Sequence, residues 1–361
     1  MMRFLMINGP NLNLLGKREP EIYGSTTLPE LEERVAAWGR SLGAEVHSEQ
    51  SNDEHHIIEL IQTFDGDGIV LNPAAFSHTS RAIADAIQSV PTPVVEIHIS
   101  NIRTREDWRR HSVVSDAAVR TIYGRGLEGY KAALRHLVNR LAVEFETVGY
   151  GPHRDNVGDL RRGDGDLVVL IHGGLWRQEH ERDGMESLAV DLTNRGHDTW
   201  NLEYRRLGTG GGWPASAQDV LTALDSIPQL DVRADRVFVV SHSAGAHMAT
   251  WAVERSRTPV DLHVALAPIL DLEAMIENDD LGSGEARALM AAGAPGVTVP
   301  GRVETVIVHG DADQIVPVER SVALASQHDL VHHRTECDHF SLIDPSTPEW
   351  GWVTDRLEEV P

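Results

Sequence analysis

Three groupings of side chains in this 361-residue chain have the types and spacing to do chemistry. The first lies between Ile7 and Gly24, where Asn8, Asn11, Asn13, Arg18 and Tyr23 are set among Gly9, Pro10, Gly16, Pro20 and Gly24, residues that break helix and strand alike. A tyrosine titrates at about 10, so its phenol serves as a base only where cations favour the phenolate, and Arg18 and Arg109 are the candidates. The second is Glu96 with His98, two residues apart and so on one face of a strand, where a carboxylate can hold an imidazole in its proton-bearing form. The third is Ser243, Asp313 and His339, the residue types of nucleophile, orienting acid and base.

Positioning these groups requires α/β elements. An apolar run from Arg3 to Ile7 feeds the first loop, which therefore lies at the carboxyl edge of a sheet, where open sheets bind ligands. Thr27-Leu-Pro-Glu30 is a capping box, followed by Leu31, Val35, Trp38 and Leu42 at helical spacing. Ser51-Asn-Asp-Glu54 repeats the capping pattern before Ile57, Ile58, Leu60 and Ile61. Apolar runs at Gly68–Leu71, Val94–Ile99 and Val119–Tyr123 alternate with these helices, and a last helix runs from Leu127 to about Glu144. The alternation predicts a five-stranded parallel sheet of flavodoxin-like type. A flavin or nucleotide module of that fold is disfavoured: no Gly-rich phosphate cradle follows the first strand, and Pro10 removes a donor where one would be needed.

The loop motif, with Asn72-Pro-Ala-Ala-Phe-Ser-His78, Glu96-Ile-His-Ile-Ser-Asn101 and Arg109-Arg-His-Ser112, closely resembles type II 3-dehydroquinate dehydratase over about residues 1–144. The resemblance implies conversion of 3-dehydroquinate to 3-dehydroshikimate through an enolate, in the shikimate pathway of aromatic amino acid biosynthesis. It assigns Tyr23 as proton acceptor, Arg18 as its activator, His98 as general acid oriented by Glu96, and Asn11 as holder of a water against the enolate oxygen. It places Asn72, His78, Arg109 and the backbone of Ile99 and Ser100 on the substrate. Asp85 matches an acidic residue that reaches a neighbouring subunit's site, and the family forms trimers gathered into a dodecamer. The chain's lysines are Lys17 and Lys131, neither placed as a desolvated nucleophile, so Schiff-base dehydration is not expected. No metal or organic cofactor is implied.

From 145 the composition changes. Gly149, Gly151, Pro152, Gly158, Gly163 and Gly165 interleave with charges, which sets a domain boundary at 144/145 and a connecting loop over 151–166. Beyond it, apolar runs beginning at Leu167, Trp200, Val237, His263 and Val306 predict a second parallel α/β sheet. Arg236-Val-Phe-Val-Val-Ser-His-Ser-Ala-Gly-Ala-His247 resembles the nucleophile elbow of α/β-hydrolases, with Ser241 where a glycine is usual. Ser243 is then the nucleophile, Asp313 of Gly310-Asp-Ala-Asp-Gln-Ile-Val-Pro317 the acid in preference to Asp311, and His339 the base. The amides of Ala244 and Leu175 are the oxyanion donors. His172-Gly-Gly-Leu-Trp176 resembles the kynurenine formamidase and carboxylesterase branch, which favours a formyl amide such as N-formylkynurenine, with a small carboxylester second. Residues 270–301 are expected to cap the pocket.

The formal net charge is −23, with 15 basic and 19 acidic residues in 1–144 against 17 and 36 in 145–361. No basic stripe exists to follow nucleic acid, and the acidic surface opposes binding to anionic membranes. Cys337 is the one cysteine, so an intrachain disulfide and a cysteine-based zinc site are excluded. With no signal-peptide pattern or membrane-length apolar run, a cytoplasmic chain is expected. These readings combine into a fusion of a dehydratase with a serine hydrolase acting on small molecules. The alternative is a dehydratase carrying an inert hydrolase-like assembly module.

Overall fold

A computed structural model describes residues 1–17 and 24–360, which divide into two compact units, Met1–Leu141 and Ala142–Pro361. The first runs β1 (Met2–Asn8), α1 (Leu28–Ser41), β2 (Ala44–Gln50), α2 (Glu54–Thr63), β3 (Gly68–Asn72), α3 (Arg81–Gln88), β4 (Val94–His98), β5 (Arg120–Tyr123) and α4 (Glu128–Ala142). All five strands pair in parallel in the order β2-β1-β3-β4-β5, the flavodoxin-like arrangement. Period-two side-chain alternation buries both faces: Phe4 and Met6 join Leu31, Val35 and Leu134 on one side, while Leu5 and Ile7 join Ile57, Ile61 and Ile83 on the other. Each such burial contributes roughly 1.5–3 kcal/mol.

Two local readings differ. At α2 the capping carboxylate is Asp53, accepting from the His55 amide at 3.1 Å, and Ser51 accepts from the Asp53 amide instead. β2 is absent from the apolar runs because it is an edge strand, polar and half-exposed beyond Ala44.

The second unit runs β6 (Glu146–Gly149), β7 (Val157–Arg161), β8 (Leu167–Ile171), α5 (Glu186–Asn194), β9 (Asp198–Leu202), α6 (Ala215–Ser226), β10 (Val237–His242), α7 (Ala244–Val253), β11 (Leu262–Leu266), α8 (Leu272–Glu277), α9 (Ser283–Ala291), β12 (Thr305–Gly310), α10 (Val318–His328), β13 (Val331–Thr335) and α11 (Pro348–Glu358). Its strand order is β13-β12-β11-β10-β8-β9-β7-β6. The sheet is mixed, since β7 pairs antiparallel with both β6 and β9. Residues 151–166 are therefore not simply a connecting loop, because β7 lies inside them. Its charge concealed it: Asp159 and Arg161 are buried there, paired with Arg182 and Glu186. No helix among the described residues is long and apolar enough to cross a membrane.

Candidate active sites

In the first unit the loops after β1, β3 and β4 meet over the carboxyl edge of the sheet. Gly9 donates its N–H to Asn72 O at 2.7 Å, and a Cβ on Gly9 would lie 2.7 Å from Pro73 O, so only glycine lets these loops approach. Leu12 and Leu15 are buried and anchor the first loop. Asn11 adopts a left-handed conformation (φ 68°) and donates its N–H to Asn52 Oδ1 at 2.9 Å. The pocket has a volume of about 120 Å³ and is lined by Asn11, Asn72, His78, His98, Ile99, Ser100, Arg105 and Arg109, with Pro10, Leu12, Leu15, Ala74, Ala75 and Ile102.

Glu96 is fully buried behind His98 and accepts from His98 Nε2 at 2.8 Å, Ser112 Oγ at 2.6 Å and Thr121 Oγ1 at 3.1 Å. Burial alone would raise its carboxyl. The hydrogen bonds from His98, Ser112 and Thr121, with the pull of the His98 charge, outweigh burial and hold it below the ordinary value. With Nε2 committed to Glu96, Nδ1 is the ring nitrogen that can serve a ligand.

His78 Nδ1 lies 2.9 Å from His111 O. A carbonyl only accepts, so Nδ1 carries the hydrogen. Burial foremost, together with the nearby His98 and Arg109, pulls this imidazole below its ordinary value, which favours a neutral ring with Nε2 as acceptor.

Asn72 Nδ2 donates to Tyr130 Oη at 2.8 Å, and that hydroxyl donates to Asn8 Oδ1 at 2.7 Å. Tyr130 is wholly buried on α4, and burial raises its phenol. Sequence reasoning missed Tyr130, whose partners are 58 and 122 residues away. It also missed Arg105, a second guanidinium on the pocket wall with no motif to mark it. Asp85 is exposed on α3 and is not among the lining residues. Arg18 and Tyr23 lie outside the described residues.

In the second unit Ser243 sits between β10 and α7 at φ 53° and ψ −123°, a strained turn at the carboxyl edge. A Cβ on Gly245 would lie 2.2 Å from His172 O, and one on Gly173 would lie 2.8 Å from Ser243 Cβ, so these glycines let the elbow press against the loop after β8. Ser241 donates or accepts across 2.7 Å with His263 Nε2; serine in the usual glycine position thus has a buried partner that no motif revealed.

His339 Nδ1 lies 2.6 Å from Asp313 Oδ2, and both side chains are buried. Asp311 instead pairs with Arg334 at the surface. Burial would raise the Asp313 carboxyl, but hydrogen bonds from His309, His339 and the Val316 amide hold it far below its usual range. In the loop expected to supply an oxyanion donor, Gly174, Leu175 and Trp176 all have positive φ (106°, 53° and 58°), a backbone arrangement of the kind that gathers N–H groups around an anion. Ala244 begins α7, where an N–H has no partner within the helix.

The base of that loop is fixed by His172, which bonds Glu203 at 3.0 Å and stacks on Tyr204 at 4.4 Å. Glu203 in turn pairs with Arg206 at 2.8 Å. Helices α8 and α9 form the expected segment over 270–301, and Glu285 of α9 pairs with Arg177 just beyond the loop at 2.5 Å. Among the described residues, no group of three or more His, Cys, Asp or Glu is placed to hold a metal ion.

Residues 2–138 match the family model "Dehydroquinase class II", and residues 159–268 match the model "BD-FAE". A protein of Neosartorya fischeri called catabolic 3-dehydroquinase 1 is 55% identical over 135 residues, which are 37% of this chain and 90% of that protein. A catabolic 3-dehydroquinase of Aspergillus oryzae is 52% identical over 145 residues, 40% of this chain and 92% of that protein. A solved structure titled as a truncated carbohydrate esterase from gut microbiota aligns with a TM-score of 0.50 at 17% identity, covering 59% of this chain and 94% of that one, a likeness of fold.

Proposed function

The chain belongs to the class II dehydroquinase family through residues 2–138 and carries an α/β-hydrolase fold beyond them, and we propose that it is a dehydratase fused to a working hydrolase. In the first, 3-dehydroquinate lies in the pocket over β1, β3 and β4. Tyr23, as a phenolate with Arg18 as its activator, removes the proton alpha to the ketone. A water held by Asn11 stabilises the enolate oxygen, and His98, oriented by Glu96, protonates the departing hydroxyl, giving 3-dehydroshikimate and water. Asn72, His78, Arg109 and the backbone at Ile99 and Ser100 hold the hydroxyls and carboxylate. The observation that carries this is His98 braced on buried Glu96 in a wall shared with those residues.

The test follows the enone absorbance of 3-dehydroshikimate. Tyr23→Phe should lower turnover by orders of magnitude while substrate binding persists, and near-normal turnover would remove Tyr23 from the base role. Both relatives are named as catabolic enzymes, which suits use of this reaction in breakdown better than the biosynthetic role expected from the resemblance.

For the second site the reading is a serine hydrolase acting on a small ester or formyl amide. It is carried by Ser243 on a strained elbow in a unit whose His339 and Asp313 are joined at 2.6 Å. Ser243 attacks the carbonyl, His339 takes its proton and returns it to the leaving alcohol or amine, the Leu175 and Ala244 amides receive the oxyanion, and a water deprotonated by His339 then releases the acyl group from Ser243. A fluorophosphonate probe should add its mass to the Ser243 peptide, and short-chain ester hydrolysis should vanish in Ser243→Ala. Labelling elsewhere, or none in folded protein, would instead make this unit an inert module.

We also propose that the domain boundary falls at 144/145, three residues beyond the division between the compact units and between α4 and β6, that the first domain assembles into dodecamers with Asp85 reaching a neighbouring site, and that the chain works in the cytoplasm. The exposure of Asp85 supports the second reading and the single cysteine the third. Light scattering showing a fully active monomer would contradict the assembly.

A further inference from the structure

The Asp313 carboxylate has more partners than a catalytic acid requires. Its Oδ1 accepts the N–H groups of Ile315 (2.8 Å) and Val316 (2.9 Å), while Oδ2 lies 2.6 Å from His339 Nδ1 and 3.1 Å from His309 Nε2. His309 is near the end of β12, wholly buried, and its Nε2 also lies 3.0 Å from Val316 O. A carboxylate and a carbonyl can only accept, so Nε2 carries a hydrogen and donates to Oδ2. On the far side of the ring, Nδ1 is 2.7 Å from the hydroxyl of buried Ser321 on α10. In the neutral ring that nitrogen accepts from Ser321, which fixes the tautomer. The result is a continuous line: Ser321 hydroxyl, His309, Asp313, His339.

We propose that His309 is a positioning residue of the hydrolase site, whose Nε2–H shares Asp313 Oδ2 with His339 and so sets how strongly that carboxylate draws on the catalytic imidazole. The inference rests on the hydrolase reading above. A carboxylate oxygen serving two imidazole donors concentrates less charge on either one. His309 thus holds Asp313 rigidly while tempering its pull on His339.

Other charged and titratable groups face this line. From β10, His242 approaches the His339 ring at 4.6 Å and donates through Nε2 to His339 O at 3.1 Å. From β13, His332 interacts electrostatically with His309, as Asp338 does with Asp313. The Arg334 and Asp311 pair lies beyond His332. These groups remain in the variants below, so a change in pH dependence reports the His309 contact.

The test is the pH profile of kcat/KM for p-nitrophenyl acetate in the full-length chain. His309→Phe keeps the ring volume and removes the donor. Its acid limb should move up by roughly half to one pH unit, because Asp313 then holds the protonated form of His339 more firmly, and plateau kcat/KM should fall about tenfold. His309→Gln, whose amide can reach the position of Nε2–H, should keep the limb near that of the parent. Should His309→Phe not fold, Ser321→Ala loosens the same ring and should move the limb the same way by a smaller amount. An active parent with an unmoved limb in the folded donor-lacking variant, or in Ser321→Ala, or with Gln no better than Phe, overturns the proposal alone. A parent that hydrolyses no ester and takes no fluorophosphonate at Ser243 overturns the hydrolase reading, and this inference with it.

Discussion

In the first unit the imidazole of His98 rests on Glu96 from two residues away on one strand; in the second, His339 rests on Asp313 from a loop 26 residues earlier. Both carboxylates are buried, and both are held below their ordinary values by the hydrogen bonds they accept. Strand geometry makes the local pair, since residues two apart share a face once β4 forms. The distant pair depends on the loops after β12 and β13 being held together. Its acid is accordingly pinned by two backbone amides and a second histidine, where Glu96 needs only two hydroxyls beside its imidazole. An acid–imidazole pair assembled across loops needs more anchoring than one built along a strand.

Replacing each acid by its amide tests that contrast. Asp313→Asn should cost ester hydrolysis about 10⁴-fold in kcat, as loss of the orienting charge does in serine hydrolases, with dehydration unchanged. Glu96→Gln should cost dehydration about 10²–10³-fold, leaving esterase rates unchanged, because it weakens a general acid and opposes an amide hydrogen to donors that now face it. Measuring both activities on each variant breaks the comparison if either substitution affects both reactions.

Acid should also separate the units. Burial holds His247 and His263, both in the second unit, down to about 4 from an unfolded value of 6.5. Below 6.5 the unfolded chain takes up protons that the folded unit refuses, so their contribution is fully present above pH 6.5 and is lost as pH falls toward 4. That amounts to roughly 2 kcal/mol per histidine between pH 6.5 and 5. Calorimetry at pH 7 and pH 5 should show the hydrolase transition dropping further than the dehydratase transition, and equal drops would refute the assignment.

The smallest expected effect is at Tyr130. Removing its hydroxyl in Tyr130→Phe leaves Asn72 Nδ2 and Asn8 Oδ1 without this partner, at a cost of about 1–2 kcal/mol in stability. KM for dehydroquinate should rise a few-fold with kcat nearly kept. A fall in kcat alone would show that Asn72 acts on the reaction rather than on binding.

The amino-acid sequence by itself determined the two α/β architectures, because periodic apolar runs and turn residues are local signals, and it determined the family through motifs of fixed spacing. It named Asn11, Asn72, His78, His98 and Arg109, which the fold gathers on one wall, and Asp313 and His339, which it joins. It could not show the edge strand β2, whose exposure dilutes the apolar pattern, or β7, whose Asp159 and Arg161 are charged yet buried because Arg182 and Glu186 neutralise them. Nor could it show Tyr130 on Asn72, His263 on Ser241 or His309 on Asp313. A lone tyrosine or histidine carries no spacing that marks its role. Only tertiary structure decided those contacts, because a buried polar atom must find a partner wherever packing brings one within about 3 Å, whatever its distance along the chain.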